Sequence, residues 1–218
     1  MFVGHYGPGF AIKAADKSIP LWLLFIAVQL VDVFWATFVL LGIEKVRIVP
    51  GITAASPLDL YYMPYTHSLI GSIVWAGLAT VACKLTPRLG NWKAALLIAV
   101  AVSSHWILDL LVHRPDLPLY DNAAKVGFGL WNYPAISFAL EAACLFGGMY
   151  FYFARTKAVT AGGRYAMIVF GVIMLAIQSS VFFAPPPGSD KELAVTALLS
   201  YGIFAAVAFW LERKRVPV

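Results

Sequence analysis

The stretch WKAALLIAVAVSSHWILDLLV, residues 92–112, decides how this chain folds. Its 21 residues rise about 30 Å as a helix, the thickness of a bilayer's hydrocarbon core. The apolar residues form a continuous run without strand alternation, so the segment reads as a membrane-crossing helix. Yet it carries His105 and Asp109, spaced i and i+4 on one helix face. An ionisable side chain in lipid is expensive and marks a functional site by default.

Outward from this segment the pattern repeats. The 218 residues are 61% hydrophobic and 12% charged, where soluble domains carry about 25% charge. Apolar stretches at 20–43, 67–86, 92–112, 129–153, 165–184 and 192–211 are each long enough to span. Residues 1–18 are too short and glycine-rich to cross and read as a half-helix dipping into the bundle. The expected fold is all-α: a polytopic membrane helical bundle of six transmembrane helices plus that N-terminal half-helix, one integral domain over 1–218.

Charge sets the orientation. With six spans, eleven of the sixteen Lys and Arg residues (Lys13, Lys17, Lys84, Arg88, Lys93, Arg155, Lys157, Arg164, Arg213, Lys214, Arg215) fall on one side. Lys45, Arg47, Arg114, Lys125 and Lys191 fall on the other. The positive-inside rule places both termini in the cytoplasm and loops 44–66, 113–128 and 185–191 outside, as in a bacterial-type inner membrane. This bias accounts for the net charge of +5; no clustered basic face suggests nucleic acid. The start lacks the basic-then-apolar order of a cleaved signal, so Met1 is expected to be retained. Cys83 and Cys144 fall within spans and read as small apolar fillers.

The polar residues of the apolar segments share a depth. Measured from the cytoplasmic turns at about 1.5 Å per residue, His5 lies roughly 15–20 Å up, Asp32 and His105 roughly 20 Å, Asp109 roughly 25 Å and His67 roughly 25–30 Å. Glu141, roughly 18 Å into the fourth span from its outer end, meets the same layer. Taken alone, each has a bland reading. His67 could cap a helix, Asp32 could pair with a base, and His105 with Asp109 could clip two helices together. No Lys or Arg occurs within the first three spans away from their ends, however. Carboxylates and imidazoles at one level are the donor set of a divalent metal, with His5, Asp32, His67, His105, Asp109 and Glu141 as candidate ligands. Asp32 and Glu141 are also the candidate catalytic carboxylates. Arg114 and His113, just above Asp109, are candidates for substrate binding, with pairing of Arg114 to Asp116 as the alternative. Gln29 and Gln178 read as interhelical packing groups or supports for the ligands. Tyr61, Tyr62, Tyr65 and Trp131 read as an outer aromatic belt.

These motifs resemble the predicted membrane-bound metal-dependent hydrolases, which are similar at a distance to zinc-dependent phospholipase C and the single-strand zinc nucleases. The matching pieces are Gly4-His5, Leu30-Val31-Asp32, Thr66-His67-Ser68 and the His-x-x-x-Asp of His105 and Asp109, within residues 1–145. The resemblance implies Asp32, His67, His105 and Asp109 around a first ion, zinc by preference. A later histidine, for which His113 is the candidate, and a His-x-x-x-Glu would hold a second. Here Ser137 stands where that motif has His before Glu141, and Phe34 stands where an acidic residue is frequent. One ion or two stays open.

Three functions compete. Foremost is a hydrolase of a lipid-derived ester or phosphoester reached from the outer leaflet, since such an ion activates water near neutral pH and polarises a phosphoryl or carbonyl oxygen. Next is a non-catalytic metal-binding, structural or accessory membrane protein. A metal-ion transporter ranks last, because the cytoplasmic halves of the first three spans are almost wholly apolar. Membrane lipids are the expected partners; the oligomeric state is open.

Overall fold

In the computed structural model, residues 1–87 and 89–218 are described; Arg88, counted above among the basic residues, lies outside them. The segment that decided the fold is one unbroken helix, α5 (Trp92–Val112), started by the Asn91 side chain accepting from Ala94 N at 2.8 Å. Before it come a 3-10 turn (Val3–His5), α1 (Tyr6–Ala15), α2 (Leu21–Val28), α3 (Leu30–Leu40), β1 (Lys45–Ile48), β2 (Leu58–Tyr62) and α4 (Leu69–Leu85). After it come α6 (Pro134–Ala154), β3 (Thr156–Ala158), α7 (Ala161–Phe183), α8 (Asp190–Glu212) and β4 (Arg215–Pro217). Local chemistry sets the starts. Ser68, Thr160 and Ser189 cap α4, α7 and α8 through their hydroxyls, and α6 opens on Pro134, whose missing N–H costs nothing there.

Two expectations need correction. The chain is not strictly all-α: β1 and β2 form an antiparallel hairpin within the 44–66 loop, and β3 pairs with β4 at the opposite end. Nor is the first apolar stretch one straight helix. It breaks at Gln29, where α2 and α3 meet at 55°. Four helices, α5 to α8, are long and apolar enough to cross a membrane, and five if the bent α2–α3 pair counts as one span. α4, at 17 residues, is shorter.

The bundle turns its apolar side chains outward. Ile70, Ile73, Val74, Leu78 and Val81 recur at helical spacing on the exposed face of α4, and Val169, Val172, Ile173 and Val181 do so on α7. An exterior of this kind belongs in lipid, and the chain is a multi-pass membrane protein. Its loops gather at two ends. At one, Lys17 bonds the Val218 carbonyl, Lys93 pairs with Asp16, and Val159 N donates to Lys214 O. At the other, Ala55 N donates to Trp131 O and Leu69 N to Pro118 O, packing the β1–β2 hairpin against the segment that follows α5.

The half-helix α1 is wedged into the bundle by glycine. A Cβ on Gly148 of α6 would lie 2.1 Å from Gly7 O, and one on Gly7 would lie 2.1 Å from Cys144 O. The two backbones therefore touch directly, as small residues permit in lipid. One core cluster fills the bundle around Phe10, Phe25, Tyr152, Phe170 and Phe204. A second, with Trp35, Val46, Leu60, Met63 and Trp106, lies beneath the hairpin. Val31 and Val102 belong to the first, Trp35 and Trp106 to the second, so Asp32 on α3 and His105 on α5 fall at the boundary.

Candidate metal centre

All four histidines of the chain converge on one carboxylate. His5 Nε2 lies 3.1 Å from Asp109 Oδ1, while from Oδ2 His105 Nε2 is 3.1 Å away and His67 and His113 Nε2 are each 3.7 Å away. Asp32 joins through Oδ1, 3.2 Å from His67 Nε2 and 3.5 Å from His105 Nε2. The six residues are all buried: His5 ends the 3-10 turn, Asp32 is on α3, His105 and Asp109 are on α5, His67 just precedes α4 and His113 just follows α5.

Three of these rings are oriented by their other nitrogen. His105 Nδ1 donates to Val28 O at 2.8 Å. That carbonyl is free because the helix breaks at the next residue, so the α2–α3 elbow fixes the ring. His67 Nδ1 donates to Thr66 Oγ1 at 2.9 Å; the Thr66 hydroxyl is committed to Glu44 Oε2 at 2.6 Å and can only accept from the ring. Glu44, buried below the hairpin, also takes the N–H groups of Tyr65 and Thr66 at 2.8 and 3.0 Å. His113 Nδ1 donates to Asp116 Oδ1 at 3.0 Å, and Trp131 packs on its ring at a tilt of 37° with centroids 4.3 Å apart. Trp106 Nε1 donates to His67 O at 3.0 Å, tying α5 to the start of α4. A carboxylate, carbonyl or hydroxyl behind each imidazole is the usual support of a metal-ligating histidine.

The consequence is electrostatic. A neutral imidazole that donates from Nδ1 presents a lone pair at Nε2. Where those lone pairs face carboxylate oxygens at 3.1–3.7 Å, the repulsion between acceptors is relieved by positive charge, supplied by a bound ion or by a proton on a ring. His105 Nε2 is buried without a hydrogen-bond partner among the described residues. Donors about 2.1 Å from a tetrahedral ion stand about 3.4 Å apart, and the observed N–O separations bracket that edge. Two tight sets, His5/His105/Asp109 and Asp32/His67/His105, meet the reach of a single ion. The residues present fit a divalent metal of the nitrogen- and oxygen-preferring kind.

Glu141 lies beside the cluster and serves the N-terminal segment. Its oxygens accept from Phe2 N at 2.9 Å and Gly4 N at 2.6 Å, and the Met1 amino group lies 2.6 Å from Asp109 Oδ1. Gly4 permits this approach, since a Cβ there would sit 2.9 Å from Glu141 Oε2. His5 is thus delivered to the site by its own backbone, and its ring stacks on His105 with centroids 3.9 Å apart.

Two sequence candidates remain, Arg114 and His113. Arg114 is engaged by Asp116 at 3.0 Å and by Asp59, which also holds Arg47 at 2.6 Å. These contacts tie the segment after α5 to β2 of the outer hairpin, and the pairing with Asp116 is the alternative that the sequence left open. Burial pushes the nearby Lys125 ammonium below its ordinary range, and that group bonds Tyr61 O at 2.9 Å. His113 lines the cavity described below and also lies with the other histidines, its Nε2 3.7 Å from Asp109 Oδ2. Sequence reasoning missed Glu44 and Tyr201. The Tyr201 hydroxyl, on α8, donates to Asp32 Oδ2 at 2.8 Å. Nothing in its neighbourhood distinguishes it from other aromatic residues of an apolar helix.

A cavity of about 560 Å³ reaches the centre. Asp32, His67, Asp109, His113 and Glu141 are among its lining, and α7 and α8 add both apolar residues (Ile177, Val181, Leu193) and polar ones (Gln178, Thr196, Ser200). A comparison with protein-family models, curated proteins and solved structures finds no match to this chain.

Proposed function

We propose that this chain is a membrane-embedded, metal-dependent hydrolase of a lipid-derived ester or phosphoester, built on one or two divalent ions, zinc first among them. The convergence of every histidine on Asp109, with three of the rings held from behind, carries the reading. Asp32, His67, His105 and Asp109 hold the ion, and His5 and His113 complete the donor set. Bound there, a divalent ion supplies Lewis-acid polarisation of the scissile group and a nucleophile near neutral pH. Tyr201 holds Asp32 by Oδ2 and leaves Oδ1 for coordination. Glu141, lining the cavity and held by Phe2 and Gly4, is the proposed proton acceptor. The apolar residues that α7 and α8 give the cavity, among them Ile177, Val181, Phe182 and Leu193, support a lipid-like substrate over a small hydrophilic one.

The proposed topology has six passes, counting α2–α3 as one and α4 as another. Both termini are cytoplasmic and the centre lies in the outer half of a bacterial-type inner membrane. The excess of Lys and Arg at the end that carries β3 and β4 supports this orientation.

The test is purified protein in detergent, assayed for bound metal by elemental analysis and for product release from lipid vesicles by mass spectrometry. Near-stoichiometric metal and chelator-sensitive turnover, both lost in Asp109→Ala, are expected. Turnover that survives chelation overturns the mechanism; bound metal without turnover on any lipid leaves a non-catalytic metal protein.

A further inference from the structure

Gln178, on α7, is buried and lines the cavity, and its side-chain carbonyl oxygen has no hydrogen-bond partner among the described residues. An unpaired amide oxygen inside an apolar bundle costs about 1–3 kcal/mol, so a group kept in that state fits a partner absent from the free protein. The residues around it say what that partner is. Ile177, Val181, Phe182, Leu193 and Ala197 give the cavity an apolar strip beside the hydroxyls of Ser180, Thr196 and Ser200, on the two helices whose outer faces carry Val169, Val172, Val195 and Leu199 toward lipid. No Lys or Arg side chain lines the cavity among the described residues, while Asp32, Asp109, Glu141 and Glu192 do. A free anionic head therefore finds no cationic side chain here. A carboxamide offers one acceptor and two donors, which an alcohol matches at both ends.

We infer that Gln178 determines specificity: it hydrogen-bonds a hydroxyl adjoining the scissile bond of a lipid without net charge, whose acyl chain lies between α7 and α8. The inference rests on the hydrolase reading for the word scissile, but its binding content stands apart from it. Chain and hydroxyl then divide the recognition. The cleft accepts any chain of suitable length, and Gln178 rejects lipids that cannot pair with it. A site built to pair with a hydroxyl discriminates far better than an apolar one, because the analogue leaves the buried amide orphaned.

The probe is 1-palmitoyl-lysophosphatidylcholine, zwitterionic with one free hydroxyl, against its 2-deoxy analogue. Both are titrated onto the detergent-solubilised, metal-loaded protein, with binding followed by tryptophan fluorescence and cleavage by mass spectrometry. Wild type is expected to bind the hydroxyl lipid roughly ten- to a hundredfold more tightly than the deoxy lipid. Gln178→Leu is expected to erase that preference while metal content stays unchanged, and Gln178→Asn to retain part of it. Ala197→Phe, which fills the cleft, is expected to weaken both lipids together. Equal binding of the two lipids by wild type, binding of neither, or a preference that survives in Gln178→Leu overturns the inference. A Gln178-dependent preference without cleavage of either lipid sustains it and overturns the hydrolase reading instead.

Discussion

Tyr201 Oη and Asp32 Oδ2, 169 residues apart in the chain, are joined by a buried 2.8 Å hydrogen bond. The contact carries α8 into the metal centre and turns one oxygen of Asp32 away from the histidines. Tyr201→Phe should therefore lower metal affinity by about 10- to 100-fold with the fold intact. Competition against a fluorescent chelator measures it; an unchanged affinity would show that the hydroxyl only packs.

Thr66 makes a similar prediction from the other side. Its hydroxyl accepts from His67 Nδ1 and donates to Glu44. Thr66→Val keeps the shape but leaves two buried polar groups without a partner, at a cost of about 1–3 kcal/mol. Thermal unfolding should show that loss and chelator competition a loosened His67, whereas Thr66→Ser should keep both near wild type.

At the crossing of α1 and α6, Gly148→Ala would force a methyl against Gly7 O. Overpacking of this sort costs about 1–3 kcal/mol or more, and here it also lifts the segment that bears His5. A lower melting temperature together with a weakened metal site is the expected pair of results. Unimpaired metal binding would mean that His5 is dispensable as a ligand.

Arg114→Ala should destabilise the outer hairpin by about 1–3 kcal/mol, since Asp59 and Asp116 lose a charged donor. KM for any substrate should stay within about twofold, because the guanidinium is already engaged. A large rise in KM with normal stability would return Arg114 to substrate binding.

Much of the centre was legible in the sequence because membranes tolerate few ionisable residues. His105, Asp109, Asp32 and His67 stood out against apolar surroundings, and counting helical rise was enough to bring them to one depth. The supporting groups were not legible. Glu44 lies in a loop, where a carboxylate is unremarked, and only the fold buries it under Thr66. Tyr201 has no spacing relation to Asp32, so no periodicity could link them. For Arg114 the pairing with Asp116 was legible from their nearness in sequence, whereas the contact with Asp59, 55 residues earlier, was not. The short strands escaped notice because β1 and β2 are only four and five residues long, inside a segment read as loop.

The elbow at Gln29 ties backbone to ligand. In an unbroken helix Val28 would spend its carbonyl on the amide four residues ahead; here the His105 ring receives it. Hydrocarbon offers no substitute donor, so removing that imidazole strands an oxygen in an oily interior besides subtracting a coordinating atom. His105 is then doubly constrained: with or without an ion beside it, this position needs an N–H, or else a straightened helix that gives up the geometry of Asp32 with it.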